Sequence, residues 1–452
     1  MFWWLACTPA ELVIDEIPLE DLVLAKQFLV HTAEEVPAAL SCVQRDDPEE
    51  VFELTSPAGA DHGFTLTGLL AETDYDCTFT AGNAVAARSF RTEALPSWLP
   101  QWSTAVTDRS EAGYTLLNHG LDTTEPDREA KLLIVDREGR LRWYLRCPEN
   151  ASDLDAQYLG DGRILYGGGY LMPPTVVGLL GAVVSQAGPS VTGAFRYNHH
   201  TERIATGEIA TFSVVPNTDG THEWDGFAIE VFDPTLSERT WVWNSQRGVD
   251  EGWLPYLPDN EDPYHANSMQ FDGTDVYVNL RALGWVVKLD RRTGAREWTL
   301  GPYQDFDLID AAGAPADPSE WFWRAHAPEK RGDEFLFHDN GVGRPAGRWS
   351  RAVAMTVDED ARTAQVTWEY TEPGWYEPIW GDVDRLPDGH VLITRGHCDH
   401  CYGADQRTEL VEVDPTDNAV VWRLTFADPL DGGYRAERID GCVFPNRKSC
   451  PP

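Results

Sequence analysis

The chain has 452 residues, of which 42% are hydrophobic and 24% are charged, a composition typical of a globular protein. That length exceeds what one ordinary core organises, so two or more domains are expected. The 74 Asp and Glu residues outnumber the 36 Lys and Arg residues and give a net charge of −38. This acidity argues against nucleic acid and anionic membrane surfaces as partners.

The chain begins with MFWWLACTPA, residues 1–10, which resembles the last part of a signal peptide. Leu5, Ala6 and Cys7 resemble a bacterial lipoprotein cleavage box. We therefore predict a signal-peptide remnant, with an exported chain that is periplasmic or an outer-membrane or cell-surface lipoprotein. Lipidation of Cys7 would attach it to a membrane. The eight cysteines of the chain also favour an oxidising location.

Residues 11–95 contain short alternating strands that look like a fibronectin type III or immunoglobulin-like β-sandwich. Tyr75 lies two residues before Cys77, which is the spacing of a tyrosine corner. Cys42 lies in an earlier apolar strand. We therefore predict a Cys42–Cys77 disulfide that crosses between the two sheets of the sandwich.

A repeated hairpin pattern follows a Pro- and Trp-containing linker at residues 96–102. Each repeat has an apolar strand, an Asp, a polar turn and a second strand that contains Trp. The repeats are KLLIVDREGRLRWYL (131–145), AIEVFDPTLSERTWVWN (228–244), VVKLDRRTGAREWTL (286–300), AMTVDEDARTAQVTWEY (354–370) and LVEVDPTDNAVVWRLTF (410–426).

The repeated Asp recurs at intervals of roughly 55–70 residues, which is the scale of a β-propeller blade with generous loops. A degenerate copy at 161–188 would bring the number of blades to six. The sequence therefore predicts an all-β fold, in which a small β-sandwich precedes a six-bladed β-propeller at 103–440. Residues 441–452 would form a C-terminal tail.

Histidines precede the strands of three successive repeats, in YNHHTER (197–203), PYHANSM (263–269) and RAHAPEK (324–330). The innermost strand of a propeller blade begins near the central channel, so these histidines should converge on one axis. Residues two apart on a strand face the same way, which would place His265 and Asn267 together. Arg281 follows in the next strand of the same repeat.

Metal binding, anion binding and catalysis are the three chemistries open to this set. Three histidines can hold a transition metal, but an Arg beside them would repel a divalent cation. Arg, Asn and His together suit a tetrahedral oxyanion, because Arg offers a planar fork of donors and the other two add hydrogen bonds. A neutral His in the set could also act as a nucleophile.

The order of these motifs resembles the bacterial arylsulfotransferase family over roughly residues 100–440. The motifs are His-His, His-x-Asn-Ser, a strand ending in Arg, and a His ahead of an Asp-Asn-Gly strand. The resemblance implies an exported six-bladed propeller that moves a sulfuryl group from an aryl sulfate to a phenol. The family uses no adenylated donor (PAPS) and no cofactor, and the reaction is ping-pong through a sulfohistidine.

The resemblance also implies site residues. The transiently sulfated histidine would be His326, and His265 would exchange the phenol proton. Arg281, Asn267 and His200 would hold the sulfuryl oxygens. His200 fits the family spacing better than His199, which is expected to bind substrate. No metal is expected at this site.

Two other readings stay open for the propeller. It could be a non-catalytic module that binds a ligand or a partner protein through the channel, or a metal-dependent enzyme that uses the channel histidines. The sequence predicts neither the oligomeric state nor the natural donor and acceptor.

The remaining cysteines allow several pairings. His397, Cys398, His400 and Cys401 could form part of a zinc site, although a disulfide between Cys398 and Cys401 is favoured because no second ligand pair has finger spacing. Cys442 and Cys450 bracket a short loop that suits a disulfide. Cys147 would then be the unpaired thiol or a partner of the Cys398–Cys401 loop.

Overall fold

A computed structural model describes residues 12–119, 130–147, 154–169, 172–257, 262–396, 407–428, 432–439 and 441–448. The regular secondary structure of the described residues is almost entirely strand, so the all-β prediction is confirmed. The exceptions are one short α-helix, α1 (Gln246–Asp250), and one 3-10 turn (Pro318–Glu320). Within these ranges, no helix has the length and apolar character needed to cross a membrane.

The first sheet contains five strands and folds over itself. Its strands are β1 (Val13–Ile17), β2 (Ala25–Gln44), β3 (Asp47–Thr67), β4 (Asp74–Ala81) and β5 (Ala84–Arg91). The long strands β2 and β3 pair along both of their halves, with register shifts between them. Phe28 in the first half of β2 meets Phe79 of β4 with ring centroids 5.2 Å apart, so the two halves enclose a common core.

The Cys42–Cys77 disulfide is present, but it lies within one sheet and does not cross between two. The two residues face each other directly in the β2–β4 register, with Cα atoms 4.0 Å apart. The prediction of a cross-sheet bridge was wrong because β2 and β4 are neighbouring strands. Tyr75 accepts a hydrogen bond from the N–H of Leu70 at 2.9 Å, which is the contact of a tyrosine corner.

The strands after this sheet alternate along the chain with short turns. They are β6 (Trp102–Val106), β7 (Tyr114–His119), β8 (Lys131–Asp136), β9 (Leu141–Arg146), β10 (Asp155–Gly160), β11 (Arg163–Gly167), β12 (Thr175–Gly178), β13 (Val183–Gln186), β14 (Tyr197–Arg203), β15 (Ile209–Thr218), β16 (Glu223–Phe232), β17 (Arg239–Asn244), β18 (Ala266–Asp272), β19 (Asp275–Leu280), β20 (Trp285–Asp290), β21 (Arg296–Leu300), β22 (Asp307–Ile309), β23 (His326–Arg331), β24 (Glu334–Asp339), β25 (Arg351–Asp358), β26 (Thr363–Tyr370), β27 (Asp382–Arg385), β28 (Val391–Arg395), β29 (Glu409–Asp414), β30 (Ala419–Phe426) and β31 (Ala436–Ile439).

These strands form propeller blades, and six sheets of four or five strands can be counted in the described ranges. Blade one is β31-β7-β8-β9, blade two β10–β13, blade three β14–β17 and blade four β18–β21. Blade five is β23–β26 with β22 at its edge, and blade six is β27–β30 with β6. Strands from both ends of this region therefore close the ring, β31 beside β7 and β6 beside β30. Trp102, placed in the predicted linker, is the first residue of β6.

The recurring Trp of the five hairpins links its blade to the next one, which leaves blade two without this contact in the described ranges. Trp243 of blade three donates through Nε1 to the carbonyl of Gly294 in blade four at 3.0 Å. Trp298 of blade four likewise donates to Glu359 of blade five at 2.9 Å. The same contact is made by Trp143, Trp368 and Trp422. The repeated signature thus marks a blade-to-blade hydrogen bond as well as core packing.

The inner strands add a second set of links along the channel. Side-chain oxygens of Gln157, Gln270, Glu329 and Glu437 each accept a backbone N–H from the inner strand of the following blade, at 2.6–2.8 Å. Gln270 also donates to the carbonyl of Lys330 at 2.9 Å, so its amide pairs both ways with one backbone residue. These links hold the inner strands at a fixed spacing around the channel.

A buried ion-pair cluster joins the first sheet to blade one. Glu50 of β3 accepts from Arg142 of β9 at 2.8 Å and from Arg447 at 2.6 Å. Arg142 is fully buried and also donates to Asp136 at 2.8 Å. Both charges of the Glu50–Arg142 pair are removed from water. Removal of either residue would therefore leave its partner as an uncompensated buried charge and would destabilise the protein.

Candidate functional site

The three inner strands that carry the histidines are irregular where the histidines lie. The register shifts between Asn198 and Thr201 in blade three, between Ala266 and Ser268 in blade four, and between His326 and Glu329 in blade five. A bulge adds an unpaired residue and turns side chains away from strict alternation. This irregularity lets neighbouring residues face the channel together.

His326, the predicted nucleophile, lies at the start of β23 and is only 2% exposed. Asn340, which follows β24, donates through Nδ2 to the carbonyls of Glu377 at 2.7 Å and Trp380 at 2.9 Å. The Asn340 Oδ1 therefore faces Nδ1 of His326, at 2.6 Å. This network assigns the hydrogen to Nδ1 and leaves the lone pair on Nε2.

The protonation state of His326 is set by its surroundings. Burial, followed by the nearby charge of Arg281, holds the pKa of His326 well below its ordinary value of 6.5. Arg281 follows β19, and its guanidinium donates to the carbonyl of Pro378 at 2.6 Å. A neutral imidazole next to a fixed guanidinium can attack an electrophile whose oxygens carry negative charge.

His265 lies directly before β18 and is the most accessible of the channel histidines described, with its side chain 27% exposed. Its Nδ1 lies 2.8 Å from a carboxylate oxygen of Asp262, whose other oxygen accepts the His265 backbone N–H at 3.0 Å. This contact orients the ring and leaves Nε2 for proton exchange. The Asp262–His265 pair thus has the form of a general acid–base dyad.

The adjacent histidines of blade three take different positions. The His199 ring lies 4.6 Å from the His265 ring, and burial, with the charges of His265, Arg435 and Arg281, holds the pKa of His199 well below its ordinary value. Nδ1 of His200 lies instead 2.8 Å from Asp155 and also contacts Arg435. The sequence placed His200 on the sulfuryl oxygens by spacing; the structure turns it toward Asp155 and brings His199 to His265.

Burial and the Arg435 charge lower the pKa of His200, but the Asp155 carboxylate outweighs them, so the net shift is upward. Asp155 itself accepts from Arg435 at 3.0 Å. The Asp155 carboxylate therefore stabilises the protonated, positively charged form of His200.

Asn267 is fully buried at the bulge of β18, with its side-chain amide already in use. Its Oδ1 accepts from Asn279 at 2.6 Å, and its Nδ2 lies 3.4 Å from the carbonyl of Ala325. The premise that His265 and Asn267 share a face of a regular strand does not hold, because His265 has a φ of 48° and precedes the strand. Asn267 supports the backbone directly before His326.

Four residues complete the site and were not assigned a role from the sequence. Asn340 and Asp262 orient His326 and His265 as described above. The ring of Tyr434 lies 6.2 Å from both the His326 and the His199 rings, and Arg435 donates to the carbonyl of Asn267 at 2.7 Å. Tyr434 and Arg435 lie in the segment YRAERI (434–439), to which the sequence analysis gave no role.

The channel histidines do not form a compact metal-binding group in the described ranges. There, Asp388, His390 and Glu412 form a group of three with ligand atoms all within 4.8 Å of one another. That group is held by a turn and by Arg438, which donates to Glu412 at 2.9 Å. Its ligands are distinct from the histidines on which the metal-dependent reading relies.

The cysteine predictions are resolved in part. Cys147 is buried and free, and burial raises its pKa to about 12. Cys442 is disulfide-bonded. The predicted partner Cys450, the cluster His397, Cys398, His400 and Cys401, and the lipobox-like Cys7 lie outside the described residues.

A sequence model of a family described as Arylsulfotransferase (ASST) matches residues 101–435. The chain is 28% identical over 185 residues to "Arylsulfate sulfotransferase AssT" of Escherichia coli O6:H1 (strain CFT073), a match that spans 33% of this chain and 30% of that protein.

Two solved structures illustrate the more distant likenesses. Sqt1 of Saccharomyces cerevisiae has 10% identity and a TM-score of 0.37, covering 89% of this chain and 93% of that one. A quinonprotein alcohol dehydrogenase-like protein of Bacteroides thetaiotaomicron VPI-5482 has 9% identity and a TM-score of 0.33, covering 92% and 95%. TM-scores this low carry no argument about function.

Proposed function

Because the chain belongs to the arylsulfotransferase (ASST) family, we propose that it transfers a sulfuryl group from an aryl sulfate donor to a phenolic acceptor. The donor is not adenylated, so PAPS is not required. The reaction is ping-pong, with His326 carrying the sulfuryl group between the two half-reactions.

The observation that carries this proposal is the contact between Nδ1 of His326 and Oδ1 of Asn340. A nucleophile must present an unshared pair without first losing a proton, and the Asn340 contact at 2.6 Å leaves that pair on Nε2. The depressed pKa of His326 supports the same role, because the ring is then neutral at neutral pH. Because the nucleophile is already held in one orientation, the reaction does not have to include the entropic cost of orienting it.

In the first half-reaction, Nε2 of His326 attacks the sulfur atom as the bond from sulfur to the phenolic oxygen breaks. The electron pair of that bond leaves with the phenolate, which takes a proton from Nε2 of His265. In the second half-reaction, neutral His265 removes the proton of the incoming phenol, whose oxygen attacks the sulfur. The bond between sulfur and Nε2 breaks, and the lone pair returns to His326.

Charge on the transferring group is met by donors at the site. Arg281 is the cation whose charge acts on both His326 and His199, so we assign it to the sulfuryl oxygens. His199 adds a neutral imidazole on the His265 side. Asn267 is a positioning residue that acts through the carbonyl of Ala325. His200 is not assigned to the sulfuryl oxygens, because its ring contacts Asp155 and Arg435.

Steady-state kinetics with 4-nitrophenyl sulfate as donor and a phenol as acceptor test the proposal. The expected result is release of nitrophenol with parallel lines in double-reciprocal plots, in the absence of any adenylated donor. His326→Ala should lose turnover. His31→Ala, an exposed pair with Asp61 in the first sheet, serves as the matched control and should keep it.

A lack of turnover across a broad panel of aryl sulfates would contradict the proposal and favour the propeller as a binding module. Intersecting lines would contradict the ping-pong order, because they require both substrates to be bound together.

We further propose that the chain works in an exported, oxidising compartment. The Cys42–Cys77 disulfide and the bonded state of Cys442 support this, since disulfides persist mainly outside the cytosol. Subcellular fractionation in the native host tests it: recovery in the cytosolic fraction with reduced cysteines would contradict it.

A further inference from the structure

A cleft lies between blades four and five, at the end of the propeller where β19 ends and β23 begins with His326. Its volume is about 350 Å³, within the range of about 300–1,000 Å³ that small-molecule sites occupy. Its walls are the turn between β19 and β20, the turn after β21, the residues before β23 and the loop after β24. The lining residues that matter chemically are Trp285, Tyr303, Trp323 and Arg324.

Three walls of the cleft continue directly into residues of the site. The wall between β19 and β20 begins directly after Arg281. Arg324 lies two residues before His326, and the wall after β24 begins two residues after Asn340. Two residues of chain span at most roughly 7 Å, so each of these walls begins close to a residue of the site. The cleft is therefore adjacent to the site of His326.

The chemistry of the lining differs from that of the chain as a whole. Acidic residues outnumber basic residues by 74 to 36 in the chain, yet none of the described residues that line the cleft is Asp or Glu. Three of them are large aromatics, Trp285, Tyr303 and Trp323, and Arg324 supplies a positive charge. Aromatic side chains bind rings by stacking, and a guanidinium binds a carboxylate through two parallel hydrogen bonds. The lining therefore suits a ring that carries negative charge.

Tyr303 is held in a costly backbone conformation that core packing does not explain. It is 79% exposed, and its φ of 63° lies in the left-handed region that bulky side chains rarely adopt. The turn is nevertheless fixed, because a Cβ atom added to Gly301 would lie 2.5 Å from the carbonyl oxygen of Gly284. An exposed aromatic ring on a strained and tightly packed turn contributes little to the core. Its ring is available to a ligand in the cleft.

Arg324 is exposed and also has a left-handed backbone, with a φ of 54°. Its guanidinium forms no ion pair or hydrogen bond with the residues that the structure describes. Two other arginines of blade five, Arg344 and Arg351, are instead both paired with Asp339. Arg324 is therefore available to a negatively charged group that arrives from solution.

We propose that this cleft binds the second ring of a two-ring aryl substrate and prefers a ring that carries a negatively charged group such as a carboxylate. The phenolic ring lies at His326, the second ring stacks on Tyr303 and Trp285, and Arg324 binds the charged group. This inference rests on the proposed function, because it names the class of aryl substrate that the site of His326 takes. Donor and acceptor occupy that site in turn, so the preference applies to both half-reactions.

Calorimetric titration of the full chain tests the proposal. The probes are 4′-hydroxybiphenyl-4-carboxylate and its neutral analogue 4-phenylphenol, used without a sulfate donor so that binding is measured apart from turnover. The wild-type chain should bind the carboxylate at least about tenfold more tightly than the neutral probe. Arg324→Gln should reduce this preference to less than about threefold. Tyr303→Ala should weaken the binding of both probes by about threefold to tenfold.

Arg163→Gln and Phe195→Ala are the matched controls, because they remove an exposed guanidinium and an exposed ring that do not line the cleft. Both should bind the two probes as the wild-type chain does. Arg324 and Tyr303 are exposed, so their variants should keep the wild-type thermal midpoint, and lost binding is then not lost folding.

Equal affinity of the wild-type chain for the two probes, or an unchanged preference in Arg324→Gln, would overturn the proposal. Sulfuryl transfer to phenol without this preference would overturn the role of the cleft and leave the proposed function in place. The predicted preference in a chain that turns over no aryl sulfate would support the cleft and contradict the proposed function instead.

Discussion

At the scale of single residues, the residues to which the chemistry is assigned could be named from the sequence, whereas the partners that orient them could not. His326, His265 and Arg281 stand in recognisable motifs. Asn340 comes fourteen residues after His326, directly after the neighbouring strand β24, and only the register of β23 with β24 brings them together. Spacing alone also could not show how His199 and His200 are oriented, because the strand has a bulge there and its side chains depart from regular alternation.

Asn340→Asp tests whether the partner of His326 controls its protonation. The new carboxylate would favour the imidazolium and lose the two amide donations, so kcat at neutral pH should fall by about 10–100-fold. In the wild-type chain the acidic limb assigned to His326 should lie well below pH 6.5, and in the variant it should move upward.

The pH dependence of kcat/KM measures this shift. Asn83→Asp, in an exposed turn of the first sheet, is the control and should leave the profile unchanged. A profile for Asn340→Asp that superimposes on that of the wild-type chain would show that Asn340 does not set the state of His326.

At the scale of strands and blades, the hairpin repeat could be predicted from the sequence because the residues that form each hairpin are close together in the chain. The Asp ends the strand and caps the turn, as Asp290 does by accepting from the N–H groups of Arg292 and Thr293 at 2.7 and 3.0 Å. The hydrogen bonds between the inner strands of neighbouring blades could not be predicted from the sequence. They join residues far apart in the chain, as Gln270 and Lys330 do, and depend on which strands are neighbours.

Gln270→Ala tests the links between inner strands. It removes both hydrogen bonds to Lys330 and leaves a backbone N–H and a carbonyl without their partner, so the free energy of unfolding should fall by about 1–3 kcal/mol. Chemical denaturation measures the change. Gln101→Ala, at an exposed position, should change it by less than about 0.5 kcal/mol. Equal effects of Gln270→Ala and Gln101→Ala would mean that water replaces the two hydrogen bonds between Gln270 and Lys330.

At the scale of the whole molecule, the first sheet and the propeller are joined through buried charge. The sequence could not predict this contact, because Glu50 and Arg142 are 92 residues apart and the hairpin repeat that contains Arg142 does not indicate a partner for it. Ring closure by β6 and β31 was equally non-local, although the number of repeats pointed to a propeller.

Glu50→Gln tests the joint between the two parts. It leaves the buried charge of Arg142 with less compensation, so the free energy of unfolding should fall by about 3 kcal/mol or more. Glu53→Gln breaks an exposed pair with Lys448 and should cost less than about 1 kcal/mol. Denaturation monitored by circular dichroism compares them. Similar costs would show that the Glu50 cluster is screened by water.

Stability should also depend on pH through the channel carboxyls. The pKa of Glu437 is raised to about 8 in the folded chain, so between its unfolded value and that pKa the folded state binds more protons. Its contribution to stability is therefore present at low pH and lost as pH rises through that window. Glu437→Gln should be more stable than the wild-type chain at about pH 9 and equal to it at about pH 5. A difference of the same size at both pH values would contradict this assignment.

The measurement that tests the central claim most directly is trapping of the sulfated enzyme. The chain is mixed with 4-nitrophenyl sulfate without acceptor, quenched under alkaline conditions and analysed by intact and peptide mass spectrometry. The predicted result is one added SO₃ group on the peptide that contains His326, which disappears when a phenol is supplied. Sulfotransfer by His326→Ala at the wild-type rate, or a sulfuryl group carried on another residue, would contradict the proposal.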